Sequence, residues 1–326
     1  MSTPPVEVTG LHRVYRTSTG LVRRRRKDIA ALRGVDFQVE PAEIFGLVGP
    51  NGAGKTTLIK ILTTLLLPSA GSARVLGLDV ATEHRRIRPR INFLFGGERG
   101  LYWRLSAEDN LRYFADLYHL PPADAKPRVG ELLDLVGLTE RRQERVEGFS
   151  RGMKQRLHIA KALLNRPEVV FLDEPTIGLD PVAARSLREL IRLIRDQGTT
   201  VVLTSHYMWE MGYLCDRLAV LDLGEIRFLD APNALLRRVA GTHVVELAVP
   251  DGAGDLAAVG SALEASGRVT VSEAGGRQTI RVHTSAPEQV LGALGAGTLA
   301  AFTRAAAVVR EAQLEDAYVL MVGGRE

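Results

Sequence analysis

The chain has 326 residues, of which 45% are hydrophobic and 25% charged, and it carries a net charge of +4. This length and balance favour a folded protein of about two domains and exclude disordered, collagen-like and coiled-coil chains. No apolar run reaches the roughly 18 residues of a membrane-spanning helix, and the first residues lack the apolar core of a signal peptide. The single cysteine, Cys215, excludes an internal disulfide, so we expect a protein of the cytosol.

Charge and lysine content change near Gly241, which predicts one domain over residues 1–240 and a second over 241–326. The second carries six arginines, ten carboxylates and no lysine, a net charge of −4, which leaves +8 on the first. A mildly basic first domain suits a phosphate ligand or an anionic membrane surface. The bias is too weak to indicate nucleic acid, so we expect no nucleic-acid partner.

Short apolar runs alternate with helical patterns along the first domain. Residues 7–14 and 35–39 predict two strands, with a polar loop at 17–27 between them. Unbroken apolar runs, typical of strands buried on both faces, occupy 44–48, 169–172, 201–203 and 218–221. Helices are predicted over 106–118, 129–136 and 180–198. Strands that alternate with helices predict an α/β domain with a mostly parallel sheet.

After Gly241 the order of elements changes. Strands are predicted over 243–249, 269–272, 279–283 and 305–309, and helices over 256–265, 286–294 and 313–321. The resulting β-α-β-β-α-β order, followed by one more helix, predicts a small α+β domain of the ferredoxin-like type.

Residues 49–56 fit the phosphate-loop pattern G-x-x-x-x-G-K-[ST] and lie between a predicted strand and a predicted helix. Glycines let successive backbone N–H groups turn toward phosphate oxygens, and the start of a helix adds its positive dipole end. Lys55 would reach the β- and γ-phosphates, and Thr56 would offer its hydroxyl to Mg²⁺. The predicted ATP-binding residues here are Gly49, Pro50, Asn51, Gly52, Ala53, Gly54, Lys55, Thr56 and Thr57.

A pair of carboxylates follows the apolar run at 169–172. Asp173 would stand at the carboxyl end of that strand, where parallel sheets present ligands, and could hold Mg²⁺. Glu174 is placed to orient or deprotonate an attacking water. Together with the phosphate loop, this pair predicts a site where Mg²⁺ and a general base promote attack of water on a bound phosphate.

These motifs resemble those of an ATP-binding cassette (ABC) ATPase, the motor subunit of an ABC transporter, and three further segments carry the same resemblance. Ser150, Arg151, Gly152 and Met153 are similar to its signature motif, Asp180 to its D-loop, and His206 to its switch histidine. The motifs span residues 8–230 in the order of the family. The resemblance implies a P-loop NTPase fold with a helical subdomain at about 98–165.

The resemblance also implies how the motifs work. Two cassettes would pair head to tail, so that Ser150 and its neighbours face the ATP held by the partner's phosphate loop. His206 would contact the γ-phosphate and align Glu174 with the water. Tyr15 stands where the family stacks an aromatic ring on adenine, although a tyrosine at a strand end also suits simple packing.

The chain departs from the family pattern at three places. The usual Leu-Ser-Gly-Gly-Gln signature reads Phe-Ser-Arg-Gly-Met at 149–153, and the common D-loop serine is Ile177. The loop after residue 95 lacks the glutamine that the family offers to Mg²⁺ and water. Glu98 is the candidate substitute as a metal ligand, and hydrolysis is predicted to be slow or differently coupled.

One cassette without a membrane span implies a separate multi-span membrane permease, a second cassette (a homodimer is expected) and a peripheral location on the cytoplasmic face of the cell membrane. The tail at 313–320 resembles that of daunorubicin-exporter ATPases, which drive ABC-2 type export of drugs, lipids or polysaccharides. The alternative for the tail is a generic accessory domain. The alternatives for the function of the protein are a soluble ABC ATPase that acts on nucleic acid or protein assemblies, and a regulatory nucleotide sensor.

Two exposed-looking segments leave their function open. Tyr102 and Trp103 lie in the predicted helical subdomain and suit either a contact with the permease or packing. The basic residues at 23–27 suit either a solvated loop or a contact with anionic lipid headgroups.

Overall fold

Apolar runs and amphipathic stretches of the chain form the strands and helices of two units, residues 1–229 and 230–326. This computed structural model describes residues 3–19, 25–95, 100–239, 241–249, 256–274, 277–303 and 306–322. The predicted boundary near Gly241 is later than the observed one. The reason is that the helix Pro232–Val239 packs against the last helix of the chain, Leu314–Val322, and so belongs to the second unit.

The first unit contains ten strands and seven α-helices among its described residues. The strands and helices, in chain order, are β1 (Val6–Thr19), β2 (Arg25–Val39), β3 (Ile44–Val48), α1 (Lys55–Leu62), β4 (Ala70–Val75), β5 (Leu78–Asp79), α2 (His84–Ile87), β6 (Ile91–Leu94), α3 (Ala107–Leu117), α4 (Pro122–Leu135), α5 (Arg151–Ala162), β7 (Val169–Asp173), α6 (Pro181–Asp196), β8 (Thr200–Thr204), α7 (Met208–Leu214), β9 (Arg217–Asp222) and β10 (Glu225–Asp230).

The polar loop predicted at 17–27 is wrong where the structure describes it. Strands β1 and β2 continue through this segment as an antiparallel pair, with Thr17 opposite Lys27 and Thr19 opposite Arg25. A two-stranded extension needs no buried face, so its polar sequence gives no apolar alternation to detect. With β4 and β5 these strands form a four-stranded sheet in the order β2-β1-β4-β5.

The second sheet has the order β10-β9-β3-β8-β7-β6. Strands β9, β3, β8, β7 and β6 run parallel, as the unbroken apolar runs predict. A shared core joins this sheet to the first one and to α1: Phe37 and Phe45 stack with ring centres 5.2 Å apart. Helix α1 buries Leu58, Ile59 and Leu62, each of which contributes about 1.5–3 kcal/mol when fully removed from water.

Residues 100–162 are helical, without a strand of the two sheets among the described residues. Ser106 caps α3 by accepting a hydrogen bond from Asp109 N at 3.0 Å, as its place in the sequence predicts. Helix α5 packs against α3 and α4 and also contacts α6 and β6 of the sheet region. This helix therefore connects the helical region to β6, the strand that pairs with the Asp173 strand β7.

The second unit has the predicted order of elements. After the helix α8 (Pro232–Val239) come β11 (His243–Ala248), α9 (Leu256–Glu264), β12 (Arg268–Ala274), β13 (Arg277–Thr284), α10 (Pro287–Ala293), β14 (Ala307–Glu311) and α11 (Leu314–Val322).

The four strands of this unit pair antiparallel in the order β12-β13-β11-β14, which gives the β-α-β-β-α-β sheet expected from the sequence. Val245, Ile280 and Val282 point to one face and form a core with Val259 and Leu263 of α9. Within the described ranges of the whole chain, no helix has the length and apolar character needed to cross a bilayer.

Candidate active site

Three adjacent strands bring most of the predicted site together. Strand β3 lies between β9 and β8, and β8 lies beside β7, so the carboxyl ends of β3, β8 and β7 share one edge of the sheet. The phosphate loop follows β3, Asp173 ends β7, and His206 follows β8 by two residues. This is the edge where parallel sheets present ligands.

The phosphate loop depends on glycine at Gly54, the N-cap of α1. Its φ is +109°, and a Cβ there would lie 2.5 Å from Ala31 O, so a larger residue would clash with backbone. The Lys55 ammonium donates to two carbonyls of the same loop, Gly49 O at 2.5 Å and Pro50 O at 3.0 Å. The loop thus curls around the lysine side chain, as the motif requires.

A cavity of about 650 Å³ opens over this loop. Its size is within the usual range of small-molecule sites. The residues that line it are Ala31, Asn51, Gly52, Ala53, Gly54, Lys55, Thr56, Thr57, Lys60, Phe95, Asp173 and Glu174. Two lysines and a set of backbone N–H groups at a helix start favour an anionic ligand, and the two carboxylates can hold a cation beside it.

Burial acts on both charges at the base of this cavity. It lowers the pKa of Lys55, although the nearby charges of Glu174 and Asp173 oppose that shift. It raises the pKa of Asp173, and Glu174 adds to that rise, whereas the hydrogen bond from Thr204 and the charges of Lys55 and Lys60 oppose it. Each opposite charge therefore offsets part of the effect of burial on the pKa of its neighbour.

Thr204 belongs to the segment that resembles the switch-histidine loop, but the sequence reasoning gave this residue no role in the site. Its hydroxyl donates to Asp173 Oδ1 at 2.5 Å and accepts from Glu174 N at 3.0 Å, and its side chain is fully buried. The only sequence signal is its position at the end of an apolar run, directly before the Ser-His pair. Lys60, Ala31 and Phe95 line the cavity and were also missed, because helix and strand pattern alone did not assign them to the site.

Glu174 lines the cavity and contacts His206, which does not line it. Glu174 Oε1 lies 3.3 Å from His206 Nδ1, and both side chains are partly exposed. Glu174 has a φ of +48°, which is unusual for a residue with a side chain. Its N–H donates to both the hydroxyl and, at 3.1 Å, the carbonyl of Thr204, which hold the backbone in this conformation.

Tyr15 lies beside the phosphate loop. Its hydroxyl is 3.3 Å from Thr57 Oγ1, and the Arg13 guanidinium lies 4.9 Å from the centre of its ring. The hydroxyl therefore touches the loop, and the cation covers one face of the ring. Tyr15 does not line the cavity itself, and its role in stacking on adenine stays a prediction.

The signature and D-loop residues form a second group, apart from the cavity lining. Ser150 caps α5 and accepts a hydrogen bond from Met153 N at 3.2 Å, and Asp180 caps α6. Gly152 lets these helices approach, because a Cβ there would lie 2.8 Å from Ala183 Cβ. Arg151 covers Gly178, where a Cβ would overlap its guanidinium.

The predicted metal ligands are oxygen donors. Thr56 and Asp173 both line the cavity, whereas Glu98 lies outside the described residues. Over the described ranges there is no cluster of three or more His, Cys, Asp or Glu side chains that could hold a metal without other ligands. A site with only a few oxygen ligands from the protein suits Mg²⁺, because this ion usually takes its remaining ligands from substrate phosphates and water.

The sequence and fold match known proteins. The ABC transporter family matches residues 32–177. The linearmycin resistance ATP-binding protein LnrL of Bacillus subtilis (strain 168) is 38% identical over 67% of this chain and 70% of its own length. The daunorubicin/doxorubicin resistance ATP-binding protein DrrA of Streptomyces peucetius is 36% identical over 77% of this chain and 73% of its own.

A solved dimeric ATP-binding cassette, in a post-hydrolysis state bound to ADP and Pi, has a TM-score of 0.59 and 25% identity over 69% of this chain and 98% of its own. The predicted fold class and the resemblance to drug-resistance ATPases of exporters are confirmed by these similarities. The phosphate loop, the carboxylate pair and these relatives lead to one conclusion: the chain belongs to the ABC transporter family, as an ATP-hydrolysing, ATP-binding protein.

Proposed function

We propose that this protein is the ATP-hydrolysing motor of an ABC-2 type exporter and acts on a drug, lipid or polysaccharide through a separate membrane permease. The observation that carries the proposal is the cavity in which Lys55, Asp173 and Glu174 converge at the carboxyl edge of the parallel sheet. Relatives named for resistance to linearmycin and daunorubicin favour a drug-like cargo. The same names argue against the alternatives of an ATPase on nucleic acid or a nucleotide sensor.

ATP fits the cavity through its phosphates. The turned backbone at Gly49–Gly54 offers N–H groups, Lys55 offers a buried ammonium, and the positive end of α1 adds to both. Thr56 and Asp173 would hold Mg²⁺, which when bound neutralises charge on the phosphates. Tyr15, beside Thr57, would support the adenine end.

In the reaction, Glu174 orients a water and takes its proton as the water oxygen bonds to the γ-phosphorus. The bond from the γ-phosphorus to the β–γ bridging oxygen breaks, and ADP and inorganic phosphate leave. His206 holds Glu174 through the 3.3 Å contact and would reach the γ-phosphate from there. Lys55 stabilises the negative charge on the transferred group.

The signature group would act on a second ATP. Ser150 and the first N–H groups of α5 form a helix start that suits a γ-phosphate, yet they do not line the cavity of their own chain over its described part. A head-to-tail homodimer would place this helix start against the partner's phosphate loop. The dimeric form of the related solved cassette supports this arrangement.

The permease would contact the helical region on the cytoplasmic face of the membrane. Tyr102 and Trp103 are about half exposed, and the Tyr102 ring packs edge-on against Tyr113 at 4.7 Å. Exposed aromatic rings of this kind are typical of protein interfaces. Of the basic segment at 23–27, residues 23 and 24 lie outside the described residues and 25–27 begin β2, and its contact with lipid stays a prediction.

Two measurements test this function. Tagged full-length protein is isolated from detergent-solubilised cells, and a multi-span membrane protein in equal amount is the expected companion; ribosomes or DNA without one would contradict the exporter. ATP turnover is then measured for the wild type and Glu174→Gln, which keeps the size of the side chain but removes the base. Glu189→Gln, on the exposed face of α6, is the control and keeps full turnover.

A further inference from the structure

Glu210 is a fully buried carboxylate that the mechanism above does not use. It lies on α7, four residues after His206, and its side chain has no exposure to solvent. Placing a carboxylate at such a position is costly unless other groups bind it. Its surroundings therefore show what the protein gains from it.

One carboxylate oxygen of Glu210 joins two loops. Oε2 accepts a hydrogen bond from Ser205 Oγ at 2.7 Å and another from Thr176 Oγ1 at 2.9 Å. Both hydroxyl residues are buried, so water does not compete for these bonds. Ser205 Oγ also accepts from Tyr207 N at 3.1 Å, which fixes the backbone on both sides of His206.

The other oxygen faces an arginine. Oε1 accepts no hydrogen bond from the described residues, and Arg188 Nη1 of α6 lies 3.6 Å away. The guanidinium of Arg188 also lies 4.5 Å from the ring centre of Trp209 and 5.9 Å from that of Tyr213. The arginine is thus held against α7 by its ring contacts, and it supplies the positive charge that the carboxylate needs.

The two bonded hydroxyls belong to the two segments that carry the proposed chemistry. Ser205 directly precedes His206, and Thr176 follows Glu174 by two residues and leads into the turn at Gly178 and Asp180. Glu174 and His206 in turn meet through their own contact of 3.3 Å. The contacts close a ring from Glu174 through Glu210 to His206 and back.

We infer that Glu210 is a positioning residue, which fixes His206 relative to Glu174 and links both to the D-loop. This inference rests on the proposed roles of Glu174 and His206. This ring holds Glu174 and His206 in place only while both hydrogen bonds to Oε2 exist. If either bond is lost, the segment that carries Thr176 and the segment that carries Ser205 are no longer linked. A carboxylate that merely anchors α7 would not make the two segments depend on one another.

The test is a double-mutant cycle in the full-length protein. Thr176→Val and Ser205→Ala are each expected to lower kcat about tenfold to a hundredfold, the loss typical of a misplaced reacting group, with the KM for ATP within about twofold. The kcat of the double variant is expected to equal the kcat of the less active single variant, since the loss of one hydrogen bond already opens the ring. Losses in kcat that multiply would overturn the inference.

A second measurement does not depend on turnover. Glu210→Leu, which removes the acceptor of both hydroxyl bonds, is expected to speed amide hydrogen exchange at 174–180 and at 204–207 together, whereas the matched control Glu189→Leu changes neither. Unchanged exchange in both segments, or a change confined to α7, would refute the link. Wild-type turnover that Glu174→Gln abolishes, combined with multiplying losses in the cycle, would leave the proposed function intact and reject this inference alone.

Discussion

Thr204→Val removes the hydroxyl that binds both Asp173 and Glu174 and keeps the shape of a fully buried side chain. The Asp173 carboxylate loses its donor, while the Glu174 N–H keeps its bond to Thr204 O. If Asp173 holds Mg²⁺ as proposed, Thr204 supports that ligand from outside the metal shell, and loss of the hydroxyl is expected to weaken Mg²⁺ affinity about 10- to 100-fold. In energy this is about 1.4–2.8 kcal/mol, which agrees with the roughly 1.5–3 kcal/mol of a hydrogen bond to a charged group.

The pH dependence should change in a defined direction. Burial raises the pKa of Asp173, and the Thr204 hydroxyl opposes that rise, so the variant should have a still higher pKa at this carboxyl. Mg²⁺ would bind the Asp173 side chain in its ionised, carboxylate form. Turnover of Thr204→Val should therefore decline at a higher pH than turnover of the wild type as the solution is acidified.

The assay is ATP turnover titrated with Mg²⁺ at several pH values, together with the melting temperature. Thr200→Val is the matched control, because Thr200 is also buried on β8 and its hydroxyl accepts a bond from Ala42 N at 3.0 Å, at the far end of the strand. Both variants should lose similar stability. If Thr204→Val melts like the control and has the wild-type Mg²⁺ dependence, the hydroxyl does not support a metal ligand and the reasoning is wrong.

Three further variants test packing and charge. Gly178→Ala places a Cβ into the Arg151 guanidinium at a φ of +68° and should cost about 1–2 kcal/mol, part of which Arg151→Ala should restore, as measured by urea unfolding. Ser106→Ala removes the cap of α3 and should cost about 1 kcal/mol in the same assay. Burial by itself raises the pKa of Asp316, but hydrogen bonds, chiefly from Arg310, outweigh burial and lower that pKa. The ionised Asp316 therefore stabilises the folded state above the ordinary pKa of an aspartate, and this contribution is lost as the pH falls through the lowered pKa. Arg310→Met should flatten this acid dependence of the melting temperature.

Each of these variants has a result that would contradict it. If Gly178→Ala lowers the free energy of unfolding equally with Arg151 and with Arg151→Ala, backbone strain at residue 178 sets the loss, and the contact with the Arg151 guanidinium does not. A Ser106→Ala protein as stable as the wild type would show that the cap is replaced by water. An acid dependence of Arg310→Met equal to that of Arg268→Met, an exposed arginine on β12, would assign the effect to net charge.

The buried strands and their places along the chain could be predicted because apolar runs mark strands with two covered faces, whereas the order of the strands in the sheet was not predicted. The ends of β1 and β2 could not, since their paired residues are polar and register shifts near Leu11 and Val14 break the alternation. The boundary between the units was also missed. The helix Pro232–Val239 is amphipathic, and only its distant partner Leu314–Val322 shows which unit it joins.

The candidate site divides in the same way. Residues at the ends of parallel strands could be predicted, because those ends meet whatever the register of the strands. The partners of Asp173 and Glu174 depend on register: β7 and β8 pair Asp173 with Thr204, and a shift of one residue would turn that hydroxyl to the other face. The link through Glu210 depends on a tertiary contact between loops that no local pattern marks.

The backbone of Glu174 has a consequence for evolution under selection. A side chain at a φ of +48° costs about 1–2 kcal/mol relative to glycine, which adopts this region freely. Glu174→Gly should therefore give a protein that is more stable and inactive. Selection for thermal tolerance alone would therefore favour glycine at this position at the expense of turnover, so any stabilised variant of this enzyme should be screened for turnover before its melting temperature is taken as an improvement.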